Sequence, residues 1–407
     1  MKKIAIIGGG ASGMIAGIEA SSLGAEVTIY EKGARVGKKL LATGNGRCNI
    51  SNRFCNKDRY HGENVDFINT AMGKYGTEST EKFFAKMGIP FTELEDGKLY
   101  PRSLQASAVL DILRLRLSEL QVKTVCDCEI IDICKKENIF LLSSKDNEFY
   151  ADSVILSAGG EASSNLGGTD GGYELLKKLG HTITKRLPSI VQLKTDISEI
   201  KAVAGIKIDA KVTLLADKKE VISQFGEVLF TDYGVSGPPV LQISGMASRL
   251  LEKDKKVVIS LDLISDMEEK ELFFFLKNRA YTNPDRTLED FLTGFIPKRI
   301  GQSALKSINL SPLSKRAYEL DDNDLKVLAK KLKDWKLEIY DTNGFKNAQV
   351  TIGGAKTDEF NPDTMESKKV SGLFACGEVL DIDGDCGGFN LQWAWASGRL
   401  AGENAVK

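Results

Sequence analysis

Near its start the chain carries Gly8-Gly-Gly10-Ala11-Ser12-Gly13, between the apolar run Lys3-Ile-Ala-Ile-Ile7 and the helical run Met14-Ile-Ala-Gly-Ile-Glu-Ala-Ser-Ser-Leu23. Strand, glycine turn and helix in that order leave free backbone amides and the positive end of a helix dipole at the turn. A pyrophosphate can bind there. Gly8 permits the sharp exit from the strand. Gly10 lets phosphate approach the backbone, and Gly13 lets the helix pack close to the sheet. Glu31 follows Val27-Thr-Ile-Tyr30, 23 residues beyond Gly8. A carboxylate at about that spacing accepts hydrogen bonds from an adenosine ribose. The predicted chemistry is dinucleotide binding, with Ala11, Ser12 and Lys32 flanking the contacts.

Further small-residue turns recur along the chain. Ala158-Gly159-Gly160 follows the strand Asp152-Ser-Val-Ile-Leu-Ser157, and Gly377-Glu378 follows Gly372-Leu-Phe-Ala-Cys376. Gly387-Gly388 precedes a helix expected over Asn390 to Val406, with Leu391 in its first turn. A pyridine-nucleotide dehydrogenase usually completes its cofactor site within one such domain. Several turns spread this widely suit FAD, held along its whole length. Glu378 can bind a ribityl hydroxyl. The helix after Gly388 can aim its free amides at the flavin N1/C2=O edge, which stabilises the anionic reduced flavin that donates hydride.

The elements that position these residues fall into four segments. Residues 1–187 alternate strands and helices, including helices from Thr77, Ser103 and Gly171. Residues 188–264 alternate in period two, as in Lys207-Ile-Asp-Ala-Lys-Val-Thr-Leu-Leu215, and predict an antiparallel, barrel-like unit. Residues 265–340 read as a helical insert. Ser265 caps its first helix, Thr287 with Asp290 forms a capping box, and a third helix runs from Asp324 to Trp335. Residues 341–407 return to α/β character. The predicted fold is α/β: a discontinuous Rossmann-like domain interrupted by a barrel and a small helical domain.

With 407 residues, two or three domains are expected. The 55 basic and 56 acidic residues give a net charge of −1 and no global field for nucleic acid or anionic membrane. Seven cysteines at irregular spacings match no zinc or disulfide framework and suit reduced thiols in the cytoplasm. No apolar run approaches the length of a membrane span. Asp381, Asp383 and Asp385 alternate like a metal loop but lack the EF-hand glycine and terminal Glu, so no metal is expected. His61 and His181 are the only histidines, and no triad can be read around them. Lys330, Lys331 and Lys333 read as a solvated helix face.

Three longer segments carry a specific resemblance. They are Gly37-Lys-Lys39-Leu40-Leu-Ala-Thr43-Gly-Asn-Gly46-Arg47-Cys48-Asn49, then Gly226-Glu-Val-Leu-Phe-Thr-Asp-Tyr233-Gly-Val-Ser-Gly-Pro238, and Met365-Glu-Ser-Lys through Ser397-Gly398. The chain resembles the BaiN/YhiN family of FAD-dependent oxidoreductases over essentially its full length. The resemblance implies a Rossmann-like FAD domain with an inserted β-barrel and a helical domain, and NAD(P)H as a transient reductant. No second GxGxxG unit for NAD(P)H is visible. It places Lys39, Leu40, Thr43, Gly46, Arg47 and Asn49 among the cofactor contacts. It also implies three activities: reduction of conjugated C=C bonds in 3-oxo bile acids, dihydrouridine formation in ribosomal RNA, and aminoacetone oxidation.

The first two share their chemistry. Hydride adds at the β-carbon of a C=C conjugated to a carbonyl, a proton reaches the α-carbon, and the carbonyl oxygen gains charge that needs a donor. Candidate catalytic residues are Arg47, Cys48, Tyr100 in Leu-Tyr-Pro-Arg-Ser103, and Tyr233. The balanced charge and the lack of a basic tail favour a small apolar enone over ribosomal RNA. An amine oxidase and a flavin-binding sensor without turnover stand as further readings.

Overall fold

The computed structural model describes residues 1–407. The chain forms two compact units, residues 1–188 with 348–407, and residues 189–347.

The first unit is built on β1 (Lys3–Ile7), α1 (Ala11–Ser22), β2 (Glu26–Tyr30), α2 (Ala106–Glu119), β3 (Lys123–Val125), β4 (Ser153–Leu156), β5 (Leu373–Ala375) and α3 (Phe389–Ala405). The five strands make one parallel sheet in the order β5-β4-β1-β2-β3. Ile4 to Ile7 and Ser153 to Leu156 are buried without alternation, as strands covered on both faces must be. The two long helices α1 and α3 touch through small residues. A Cβ at Gly398 would come within 2.6 Å of the Ser12 carbonyl oxygen, and one at Gly402 within 2.5 Å of that of Ala16. Arg399 Nε donates to Glu19 Oε2 at 2.9 Å across the same contact. In a parallel sheet all carboxyl ends lie on one edge, so the turns after β1, β2, β4 and β5 are brought to one place. That edge is where open α/β sheets bind ligands.

The second unit holds a closed six-stranded barrel. Its strands run in the order Leu193–Thr195, Gly234–Ser236, Lys219–Phe230, Lys207–Ala216, Val257–Asp262 and Trp335–Thr342. Ala210, Val212 and Leu214 point into its core, in the period-two pattern. The helices Glu269–Thr282, Lys298–Ser307 and Asp322–Lys333 belong to the same unit, so barrel and helices do not separate as two inserts. The reason is Trp335–Thr342, which crosses the expected end of the helical insert at residue 340, pairs with Val257–Asp262 and closes the barrel. Trp335, Leu337 and Ile339 are buried while Lys336, Glu338 and Tyr340 are exposed, a strand pattern hidden by the helix that runs into it. The units meet in sequence at 188/189 and 347/348 rather than at 187/188 and 340/341.

The capping also differs in detail. Glu268, not Ser265, caps the first of these helices with Glu271 as its partner, and Asp321 with Asp324 caps the third. Thr287 makes no side-chain cap. The lysine face is largely absent. Lys331 pairs with Glu199 and lies over the Trp335 ring, Lys333 pairs with Asp262, and only Lys330 is exposed. No helix is long and apolar enough to cross a membrane.

Candidate functional site

The glycine turn between β1 and α1 is locked from below. Gly8 has φ +100°, and a Cβ there would lie 2.6 Å from the Ser157 carbonyl oxygen at the end of β4. Ser157 Oγ donates to the Gly8 carbonyl oxygen at 2.8 Å. A Cβ at Gly13 would overlap that same oxygen, whereas Gly10 has open space. Gly10 is the N-cap of α1 and supplies no side-chain cap. The first amides of α1 are therefore free to face a ligand over a residue that cannot obstruct it.

The Glu31 carboxylate accepts from Gly9 N at 2.8 Å through Oε2 and from Gly33 N at 2.7 Å through Oε1. A carboxylate has about four lone-pair positions, so it can still receive ribose hydroxyls while it holds the glycine turn. Lys32 pairs with Glu129 at 2.7 Å.

Residues 339 positions apart in sequence complete the edge. Lys39 Nζ pairs with Glu378 Oε2 at 2.9 Å, and Glu378 Oε1 accepts from Thr351 N at 2.8 Å. A Cβ at Gly160 would come 2.5 Å from Thr351 Oγ1 and 2.9 Å from Glu378 Oε1. Thr351 also accepts from Ala162 N, just beyond the Ala158–Gly160 turn. Gly377 packs against Ser12: a Cβ on it would overlap Ser12 Oγ.

The segment Lys39–Gly46 forms short 3-10 turns broken by left-handed backbone at Gly44, Asn45 and Gly46. Leu40 is buried and anchors it, and Thr43 Oγ1 donates to the Leu40 carbonyl oxygen at 2.6 Å. Arg47 is exposed, with its guanidinium 5.9 Å from the centre of the Tyr100 ring. Burial raises the Tyr100 hydroxyl above its ordinary value, against the pull of Lys98 and Arg47. Cys48 is fully buried, with φ 60°, and burial pushes its thiol up to about 12. Its side chain packs in the core of the first unit with no exposed surface.

Asn49 closes the constellation. Its Oδ1 is buried without a hydrogen-bond partner and faces Gly388, where an added Cβ would come 2.8 Å from it. Gly388 has φ +99° and caps α3 with no side chain. A buried acceptor without a donor, beside free helix amides, fits a ligand edge that carries both a donor and acceptors. The pyrimidine end of a flavin, with its N3–H and two carbonyls, has that pattern. Asn390 is occupied: its side chain bonds the Gly384 amide at 2.8 Å and the Gly384 carbonyl at 2.7 Å, and so braces the preceding loop. Leu391 is half-buried in the same turn. Tyr233 belongs to the second unit, where its carbonyl accepts from Thr195 N.

Sequence reasoning missed Thr351, Ser157 and the partners of both histidines. Ser157 directly precedes Ala158–Gly160 and could have been read from that position. Thr351 carries no motif. His61 Nε2 meets Asp385 Oδ1 at 2.8 Å, on a ladder that pairs Tyr60–His61 with Asp383–Gly384. His181 lies between Glu359 at 3.0 Å and Ser367 at 2.9 Å. That second cluster has the atoms of a hydrolytic triad but is buried, and Ser367 Oγ accepts the amides of Lys369 and Val370. It ties the segment 359–370 to residue 181. The two tryptophans of α3 are both buried: Trp393 donates to the Gly377 carbonyl and Trp395 to that of Ile50.

The HI0933-like protein Rossmann domain matches residues 2–404. A 3-dehydro-bile acid delta(4,6)-reductase of Clostridium scindens is 40% identical over all of both chains. A ribosomal RNA dihydrouridine synthase of Escherichia coli is 28% identical, covering 98% of this chain and 97% of that one. The solved structure of 3-ketosteroid delta1-dehydrogenase from Sterolibacterium denitrificans superposes with a TM-score of 0.53 over the full length of both chains, at 12% identity, which shows a shared fold. From the matched domain and the full-length reductase relative, together with a sheet edge built for a dinucleotide, the chain belongs to the HI0933-like Rossmann family and is an oxidoreductase of the flavoenzyme type.

Proposed function

We propose that this protein is a cytoplasmic FAD-dependent reductase of a C=C bond conjugated to a carbonyl. Its substrate is a 3-oxo-4-ene bile acid or a similar steroid-like small molecule, and NAD(P)H is the reductant. The observation that carries the substrate class is the full-length, 40% likeness to a bile acid reductase. The first amides of α1 and the Glu31 carboxylate would hold the diphosphate and adenosine ribose. Lys39 and Glu378 would meet the ribityl chain, and Asn49 with the amides after Gly388 the pyrimidine edge. Bound FAD supplies two electrons as hydride.

The chain's own task is to orient the enone and handle charge. As the β-carbon gains hydride, negative charge moves to the carbonyl oxygen. Arg47, which has no carboxylate partner, and the Tyr100 hydroxyl beside it are donors for that oxygen. NAD(P)H binds transiently from solution.

Uridine reduction in ribosomal RNA uses the same bond chemistry, and a full-length relative carries that name. The small molecule is favoured because two of the four lysines on the helix Asp322–Lys333 are engaged within the unit, leaving only Lys326 and Lys330 exposed there for a phosphate backbone. The test is anaerobic: the holoenzyme is reduced and mixed with a 3-oxo-4-ene bile acid. Rapid flavin reoxidation with matching loss of enone absorbance is expected. A flavin that stays reduced with the enone but is reoxidised by unmodified ribosomal RNA overturns the small-molecule reading.

A further inference from the structure

The proposed flavin edge has two sides, Asn49 and the start of α3, and the peptide between Gly387 and Gly388 leads into the second. We propose that Asn52 is a positioning residue for this peptide. It holds the Gly387 carbonyl inward, turns the Gly388 N–H out to the pyrimidine edge, and so favours reduced over oxidised flavin; this rests on the flavin placement in the reading above.

Three observations carry the assignment. First, Asn52 is buried with its side chain fully engaged. Its Nδ2 donates to the Gly387 carbonyl oxygen at 2.9 Å and to the Asp96 carbonyl oxygen at 3.2 Å, while its Oδ1 accepts from Phe54 N at 2.9 Å. Carbonyls on one side and an N–H on the other leave the amide a single orientation. In a trans peptide the carbonyl and the N–H point to opposite sides, so a fixed Gly387 oxygen fixes the direction of the Gly388 N–H. Second, the peptide needs fixing. Gly387 has φ +136° and Gly388 has φ +99°. Two successive glycines, lacking Cβ atoms, can present either face of the peptide between them. Third, the outer side is open. Gln392 is the first residue of α3 whose N–H finds a helical acceptor, the Gly388 carbonyl at 3.0 Å, which leaves the amides before it free. A Cβ at Gly388 would come 2.4 Å from the Ser51 carbonyl oxygen and 2.8 Å from Asn49 Oδ1, so residue 388 carries no side chain that could cover the peptide.

Negative charge gathers along N1 and C2=O when a bound flavin is reduced. An N–H aimed there stabilises that charge, and a carbonyl oxygen in its place opposes it. Asn52 touches neither substrate nor flavin and acts only through the peptide.

The test compares two variants of one buried network. Asn52→Leu removes the donor at similar volume. Gln392→Leu breaks the bonds of Gln392 to Ser51 Oγ at 2.7 Å and to the Tyr75 carbonyl at 2.8 Å without touching the Gly387 carbonyl. In Asn52→Leu the preference for reduced flavin should fall about tenfold, a drop of about 30 mV in the two-electron potential. In Gln392→Leu it should stay within about twofold of the wild type. The second readout begins with the wild type, loaded with FAD that carries ¹³C at C2. The bound resonance should lie near its value in water and away from its value in an aprotic solvent, as for a hydrogen-bonded carbonyl. In Asn52→Leu it should move toward the aprotic value. If Asn52→Leu binds no flavin, Asn52→Asp takes its place with the same expected signs, because it keeps the shape and puts an acceptor where Nδ2 stood. An unchanged potential in the Asn52 variant, an equal fall in the Gln392 variant, or a wild-type C2 resonance at the aprotic value overturns the proposal. No enone is needed, so these outcomes are separate from failure of the enone to reoxidise the flavin. A wild type that binds no FAD overturns the function and the proposal together.

Discussion

Glu31 holds the glycine turn through Gly9 and Gly33, and in the proposed reading its charge would also receive the ribose hydroxyls. In Glu31→Gln an amide N–H replaces one acceptor and opposes a backbone amide. FAD should bind about 10- to 100-fold more weakly, read by titration of apoprotein with FAD. The loop residues should separate cleanly. Arg47→Met and Tyr100→Phe each remove a donor from the developing oxyanion and should slow reoxidation by about 100-fold. Cys48→Ala removes a thiol that has no exposed surface and that burial pushes up to about 12. Its reoxidation rate should stay within about threefold of wild type, far from the effect of removing a general acid. A large loss in Cys48→Ala, at unchanged flavin content, would return the acid role to this residue.

At the level of elements, β1, its turn and α1 form a closed steric unit. The Gly13 position touches the Gly8 carbonyl, and Gly8 touches β4. Gly13→Ala must push α1 off the sheet or rotate the Gly8 peptide, and either movement would misalign the amides proposed to hold the diphosphate. The expected result is a loss of about 2–3 kcal/mol and a protein purified without flavin, checked by denaturant unfolding and by the absorbance near 450 nm. The same variant would also loosen the α1–α3 contact, because Ser12 packs against both Gly377 and Gly398. The glycines of this sheet edge are thus set by backbone approach from neighbouring elements as well as by ligand.

For the molecule as a whole, pH acts through His181. Burial lowers its folded-state value below the ordinary one, even though Glu359 beside it pulls the other way. The folded protein needs a neutral ring here, while the unfolded chain takes up a proton below about pH 6.5. Stability is therefore fully present above that value and falls as the pH drops below it, with a slope of at most about 1.4 kcal/mol per pH unit. Glu359 extends the loss. Burial raises its carboxyl, but Lys369 and the Thr182 amide and hydroxyl outweigh this and hold it at about 2. Its contribution disappears as the pH falls through the range between the ordinary carboxylate value and that one. Thermal unfolding from pH 7.5 to 5 should show a declining Tm. In His181→Gln the protein should be less stable throughout, and the part of the decline between pH 6.5 and 5 should vanish. An unchanged slope in the variant would remove His181 as its source.

The parallel α/β sheet, the glycine turns with Glu31, the barrel and the family were all legible in the amino-acid pattern. These follow from short-range patterns: apolar runs that become buried strands, period-two alternation, and glycines placed where backbone must come close. Local pattern failed where two signals abut, as at Trp335, where a barrel strand follows a helix without a break and the helical pattern runs on into the first residue of the strand. The site was legible as segments but not as bonds. Only the tertiary structure decided that Lys39 meets Glu378, that Thr351 holds that carboxylate, that Asn390 braces a loop, and that Lys331 and Lys333 turn inward. It also decided the fate of the titratable groups, burying Cys48 and joining His61 to Asp385 across 324 residues. Burial and pairing of a side chain depend on what the fold packs around it, and no spacing along the chain encodes that.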